Sequence, residues 1–302
     1  MDNINLEWER GILGIIGPNG AGKSTLIKIM STIIFPTSGD VQIFGYDLAK
    51  DPLSIRQRLG VCFENPSYPP SLRVFSSLQW VGQIRGLSKT TAKRQTLDLL
   101  NYFDLLAASE LRLKELSAGM RQKYGLIQAT IGFPSLIILD EPTSNLDPDG
   151  RKNYETYVQT LVREYNCTVI IASHVLGELN RICDGFFFLF NGKCAEFGTR
   201  QDLLTKYPAK RYRLLTHQPQ LLASLLQELH IEIVAQTNSE LEIRVQNSAQ
   251  LLEIQKRFRN SSIQENKVEE LIFLPVEVEI EAIYQQLRTH PQKRTESNEN
   301  KL

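Results

Sequence analysis

The sequence predicts an α/β fold with a largely parallel sheet, followed by a small α+β accessory domain. Three observations carry this. Short apolar runs of strand length recur from Leu6 to about Leu203, with helical stretches between several of them. After the first run, Leu26, Ile29, Met30 and Ile33 repeat at helical spacing and line one face. Around "TKYPAKRY" (205–212) the alternation stops and shorter, mixed elements begin.

In chain order, "ILGIIG" (12–17), "RLGVCF" (58–63), "LIILD" (136–140), "TVIIAS" (168–173) and "GFFFLF" (185–190) read as buried strands, with a further strand at "INLEW" (4–8). The stretch 72–116 lacks strand patterning and predicts two or three helices, a helical subdomain inserted at about 65–118. A helix follows over 119–132. The boundaries expected are 1–204 for the first domain and 205–288 for the accessory domain. The latter should hold a strand (211–215), a helix (219–229), strands near 231–235 and 241–245, a helix (248–258), a strand or loop (268–276) and a last helix (277–288). The polar tail 289–302 should be disordered.

Bulk properties exclude several classes. Lys+Arg and Asp+Glu stand at 34 each, so the net charge is zero and no global field favours nucleic acid. No apolar run approaches the length of a membrane span, and "MDNINLEWER" is too polar for a signal peptide. Cys62, Cys167, Cys183 and Cys194 form no CxxC pair, and three sit in apolar runs, which suits buried thiols in a reducing compartment. A cytosolic protein is expected.

The strongest motif is "GPNGAGKST" (17–25), which fits G-x-x-x-x-G-K-[ST] between a strand and a helix. Gly17, Gly20 and Gly22 let the backbone turn its N–H groups toward phosphate oxygens. A helix starting near Lys23 adds its N-terminal partial charge. The whole stretch (Gly17, Pro18, Asn19, Gly20, Ala21, Gly22, Lys23, Ser24, Thr25) is the candidate cradle for ATP, with Lys23 reaching the β- and γ-phosphates and Ser24 ligating Mg²⁺. A second strand, "LIILD", ends in Asp140 and Glu141. Asp140 suits Mg²⁺ through water, and Glu141 suits proton acceptance from an attacking water. Acids before Pro142 also suit a plain turn; the phosphate loop upstream favours chemistry.

Together these motifs resemble the ABC-type ATPases, P-loop NTPases that form the nucleotide-binding subunits of ABC transporters. The resemblance covers about residues 3–203. "LSAGM" (116–120) resembles the family signature, with Ala118 where glycine is usual, and lies 21 residues (140 − 119) before Asp140. "SNLD" (144–147) resembles the loop that crosses to a partner subunit, ending in Asp147. His174 resembles the switch histidine, 33 residues (174 − 141) after Glu141, where a neutral imidazole would bond the γ-phosphate and orient Glu141. By resemblance, Ser117 and Gly119 would close over the nucleotide of a second subunit; a simple N-cap role for Ser117 stands beside this. His217, His230 and His290 have no such context and read as surface residues.

The family reading implies two copies, or one copy and a paralogue, closing head to tail on two Mg·ATP and driving a separate integral membrane permease from the inner face of the membrane. The accessory domain looks like the tail of export-type bacterial members. Two other readings stay open: a soluble ABC ATPase outside transport, and a regulatory nucleotide binder without turnover. A single cassette and neutral charge speak against the first, and Glu141 with His174 against the second.

Two departures stand out. The family's adenine-stacking aromatic normally precedes the lysine by about 25 residues or more, whereas Trp8 precedes Lys23 by only 15 (23 − 8) and suits packing. The chain therefore begins late, which would remove an edge strand, or it holds adenine by other contacts. The family's glutamine, a contact of Mg²⁺ and water, is matched here by Glu64 at the end of "LGVCF". Glutamate keeps an oxygen ligand, loses the amide donor and adds a negative charge. An ordinary loop acid is the alternative.

Overall fold

Five strands of the first unit are short, apolar and buried along most of their length, which is why their sequences run rather than alternate. The computed structural model describes residues 1–207, 211–237, 239–245, 248–264, 271–276 and 280–289. The chain divides into two compact units, Met1–Arg200 with the residues from Leu287, and Gln201–Gln286.

In the first unit β1 (Ile12–Ile16) leads through the glycine-rich loop into α1 (Lys23–Met30). Two-residue strands β2 (Gln42–Ile43) and β3 (Tyr46–Asp47) form a hairpin of their own, and α2 (Pro52–Arg56) leads to β4 (Leu59–Cys62). Helices α3 (Val74–Ile84) and α4 (Lys89–Tyr102) make the inserted helical arm, followed by two 3₁₀ turns and α5 (Ala118–Thr130). Then come β5 (Leu136–Asp140), α6 (Pro148–Tyr165), β6 (Thr168–Ala172), α7 (Leu176–Ile182), β7 (Gly185–Phe190) and β8 (Lys193–Thr199), after which α8 (Arg200–Lys206) opens the second unit from its second residue. The sheet order is β4-β5-β6-β1-β7-β8. All neighbours are parallel except the last, where β8 folds back on β7.

The five buried runs fall where the sequence puts them. The α/β class holds, while β8 and the β2–β3 hairpin went unread because they are only partly buried and lack an apolar run. The strand expected at 4–8 does not form. Trp8 instead packs across β7 and β8: its ring meets Phe197 edge-on at 6.3 Å and lies against Gly185.

Leu13, Ile15, Ile138, Ala172, Phe187 and Leu189 form the sheet's contribution to the core, and Leu26, Ile27 and Met30 of α1 complete it. Burying each such large side chain contributes roughly 1.5–3 kcal/mol. The position of α1, and so of the loop before it, is thereby fixed by packing. The helical arm is tied down differently. Arg85, just past α3, donates to the Ala129 carbonyl at 3.1 Å, the Ile131 carbonyl at 2.5 Å and the Leu59 carbonyl at 3.4 Å. Burial pushes its pKa down to about 10, so it remains cationic at neutral pH while joining the arm to α5 and β4.

The second unit contains β9 (Arg211–Leu215), α9 (Pro219–Glu228), β10 (Glu232–Gln236), β11 (Glu240–Arg244), α10 (Ser248–Gln264), β12 (Ile272–Pro275) and most of α11 (Ile280–Thr289). Its antiparallel sheet runs β10-β11-β9-β12. Leu214, Leu241 and Ile243 pack on Leu222, Leu226, Ile254 and Phe258 of α9 and α10. Cross-strand pairs Arg213–Glu240 at 3.1 Å, Arg244–Glu232 at 3.0 Å and Arg211–Glu242 lie among the outward residues. The tail from residue 290, with His290, and parts of the expected 268–276 and 277–288 elements lie outside the described residues.

Candidate active site

Three strand ends and one loop converge on a cavity of about 520 Å³. Pro18–Gly20 and Gly22–Thr25 line one side, and Glu64, Asp140, Glu141 and His174 line the other. β1, β4, β5 and β6 are neighbours or near neighbours in one sheet, so their carboxyl ends bring together residues up to 156 positions apart (174 − 18).

The loop needs its glycines. Gly22 has φ of 107° and caps α1, a conformation strained for a side-chain-bearing residue. A Cβ on Gly17 would sit 2.2 Å from the Leu189 carbonyl oxygen of β7, so the loop can lie this close to the sheet only without one. Lys23 is buried at 8% exposure, and its Nζ donates to the Gly17 carbonyl at 2.6 Å and the Pro18 carbonyl at 3.3 Å. The ammonium thus spans the mouth of its own loop, where phosphate oxygens can replace those carbonyls.

Asp140 is 5% exposed at the tip of β5. Burial pushes its carboxyl up to about 6, with the charges of Glu141 and Glu64 adding to the rise and a hydrogen bond from Ser24 and the Lys23 charge opposing it. Three acids crowd one wall with one cation. A hard divalent ion relieves that crowding, and Ser24 and Asp140 supply the hydroxyl and carboxylate oxygens Mg²⁺ prefers. No cluster of three or more His, Cys, Asp or Glu fit for a metal occurs among the described residues.

Glu141 is turned by its backbone. Its φ is 48°, left-handed, while its N–H donates to the Ala172 carbonyl at 2.8 Å and Gln122 Nε2 donates to the Glu141 and Pro142 carbonyls at 3.4 and 2.9 Å. The side chain then meets His174 Nδ1 at 2.7 Å and the Ser173 hydroxyl at 3.3 Å, both through Oε2. With Glu141 ionised, Nδ1 carries the proton and donates. A neutral ring then has only an acceptor at Nε2, so one neutral imidazole cannot also donate to a phosphate oxygen; doing both requires the imidazolium.

Of the residues read from sequence, Glu64 is exposed and lines the cavity at the end of β4. Ser117, Gly119 and Asp147 lie outside its lining. Ser117 caps α5, accepting from the Met120 N–H at 3.2 Å, and Asp147 caps α6, accepting from the Gly150 N–H at 2.9 Å. Gln122 and Ser173 went unread. Gln122 sits mid-helix in a polar run, and only the serine of "ASH" beside His174 gave any hint of Ser173.

This fold and cavity define a P-loop nucleotide-binding protein. Comparison with known proteins narrows the class. Residues 1–144 match the family described as ABC transporter. The chain is 34% identical over 197 residues to the bacitracin transport ATP-binding protein BcrA of Bacillus licheniformis, an alignment covering 65% of this chain and 63% of that protein. It is 31% identical over 221 residues to the daunorubicin/doxorubicin resistance ATP-binding protein DrrA of Streptomyces peucetius, covering 73% and 67%. A solved ATP-binding subunit of an ABC transporter superposes with a TM-score of 0.62 at 30% identity, covering 65% of this chain and 82% of that one. The chain belongs to the ABC transporter ATP-binding family, whose members hydrolyse ATP.

Proposed function

We propose that this chain binds and hydrolyses Mg·ATP and uses the cycle to drive a separate membrane permease, as an export-type subunit. The observation that carries the reading is the Glu141–His174 contact at the rim of the cavity shared with Lys23 and Asp140. Lys23 leaves the carbonyls of its own loop for the β- and γ-phosphates. Glu141 accepts the proton of a water aimed at the γ-phosphorus, in line with the leaving oxygen. His174 holds the Oε2 face of that carboxylate, and Ser173 assists. Ser24 and Asp140, with Glu64 beside them, would hold Mg²⁺, which when bound neutralises charge developing between the β- and γ-phosphates.

Ser117 and Gly119 sit at the start of α5 and away from this cavity. That placement supports their serving the nucleotide of a second subunit, identical or paralogous, in a closed head-to-tail pair. No helix of the described residues is long and apolar enough to cross a membrane, so a transport role needs a partner that does. The inner face of the cell membrane is the expected location, and export rests on the relatives named for bacitracin transport and for daunorubicin and doxorubicin resistance. The test is purification from membranes with its co-purifying partner, followed by ATPase assay with and without that partner. An integral membrane protein bound stoichiometrically and raising turnover supports the reading; turnover in a monomer without any membrane partner overturns the transport part.

A further inference from the structure

Behind the Glu141–His174 pair, one buried carboxylate links the turn after Glu141 to α6, and through α6 to the loop 144–147. Thr143, two residues past Glu141, is 2% exposed and donates its hydroxyl to Glu178 Oε2 at 2.5 Å. Glu178 is 5% exposed and sits on α7, four residues past His174. Its Oε1 accepts no hydrogen bond among the described residues and faces Arg151 Nη1 at 3.3 Å. Arg151, in the first turn of α6, also donates from Nε to the Leu146 carbonyl at 3.2 Å, and Leu146 belongs to "SNLD".

An acid in the first turn of a helix has a routine use: it faces the helix N-terminus and solvent. Glu178, in the first turn of α7, is buried instead of facing solvent. Its carboxylate is taken inward, and the desolvation cost of that burial is opposed by one hydroxyl and one guanidinium. An apolar residue of similar size would remove that cost, so stability alone gives no reason for the carboxylate. Geometry does. From the helix after the histidine, this side chain reaches the turn behind the base through Thr143, and reaches the loop 144–147 through Arg151, which bonds the Leu146 carbonyl.

We propose that Glu178 is a positioning residue for hydrolysis. It clamps Thr143 and Arg151 so that His174 is held on Glu141, and so that a shift of the 144–147 loop is felt at that contact. This role rests on the hydrolytic function proposed for the site. If the 144–147 loop meets a second subunit, Glu178 is where that encounter reaches the base.

The test uses the full chain and two readouts. The first is the ring nitrogen NMR signature of His174 in nucleotide-free protein. The chain has four histidines, so His174→Gln assigns the signal. Thr143→Val and Glu178→Ala should each move the His174 ring signals toward those of an imidazole in water and leave the His217 and His230 signals in place. Unmoved His174 signals in both variants overturn the proposal. The second readout is steady-state ATPase. Each variant should lower kcat by roughly tenfold or more with the KM for Mg·ATP little changed. The double variant should cost no more than the worse single one, since both cut one connection. Multiplicative losses, or a raised KM with kcat intact, overturn it. Should Glu178→Ala fail to fold, Glu178→Gln takes its place. It keeps an acceptor for Thr143, loses the charge facing Arg151, and should fall between the wild type and Thr143→Val. Failure of the hydrolytic function would show separately, as wild-type turnover in Glu141→Gln, while the NMR readout still decides the role of Glu178.

Discussion

His174 Nδ1 lies 2.7 Å from Glu141 Oε2, and the backbone presenting that carboxylate is left-handed, with φ of 48°. A glutamate in this conformation stores roughly 1–3 kcal/mol of strain. The surroundings enforce it: Ala172 accepts from the Glu141 N–H, and Gln122 holds the carbonyls of Glu141 and Pro142. The strain aims one oxygen pair at the cavity.

Glu141→Gln should therefore bind ATP about as tightly as the wild type and lose turnover by about 10²–10⁴-fold, the range for removing a general base. The amide oxygen can still accept from His174, so the site keeps its shape. Radiolabelled ATP binding beside phosphate release checks both halves. Undiminished phosphate release would remove Glu141 as the base.

Asp140 gives a prediction with a sign. Its carboxyl is raised from 3.8 to about 6, so the ionised form is disfavoured in the folded, nucleotide-free protein. A raised carboxyl pKa means that the folded state binds the extra proton, and stability falls as pH rises through the window between these values. Asp140→Asn removes that penalty. The variant should melt higher than the wild type at pH 7.5 in the absence of nucleotide and Mg²⁺, and the gap should shrink as pH drops toward 5. Turnover should be lost at every pH. A variant melting lower at pH 7.5 would mean that the carboxylate supports the fold.

Much of this was legible in the sequence, for identifiable reasons. The five apolar runs each sit in a sheet covered on both faces, so burial leaves an unbroken trace. The phosphate loop is local, nine consecutive residues with fixed chemistry. Asp140 and Glu141 were legible because a strand delivers them. The partly buried β8 leaves a mixed trace, and Trp8 sits in an extended segment with no ladder, so hydrophobic pattern misleads at both. Gln122, Ser173 and Glu178 act through contacts with distant residues, 141 to 122 and 178 to 143, and no spacing rule encodes those.

The cysteines test the burial pattern. Burial pushes Cys62 up to about 12 and Cys167 to about 11, and it raises Cys183 further still. The nucleophile is the thiolate, so none of the three should react with iodoacetamide at pH 8 while the chain is folded. Cys194 on β8 is only partly buried and is the site where labelling should begin. Peptide mass mapping should find the other three modified only after denaturation. Early labelling of Cys62 would show that the loop after β4 opens away from α5.

Glu64 carries the last prediction. Its charge lines the cavity wall and helps raise the Asp140 carboxyl. Glu64→Gln keeps an oxygen toward the metal site, supplies an amide donor and removes one negative charge from beside Asp140 and Glu141. Asp140 should then ionise at lower pH, and the pH below which Mg²⁺-dependent ATP binding weakens should fall with it. Hydrolysis should remain substantial. Glu64→Ala removes the oxygen as well, so it should shift the pH dependence in the same direction and weaken Mg²⁺ dependence in addition. Comparing the two variants by Mg²⁺ titration at pH 6 and pH 8 separates charge from ligation. If neither variant alters binding, turnover or their pH dependence, Glu64 is an ordinary loop acid.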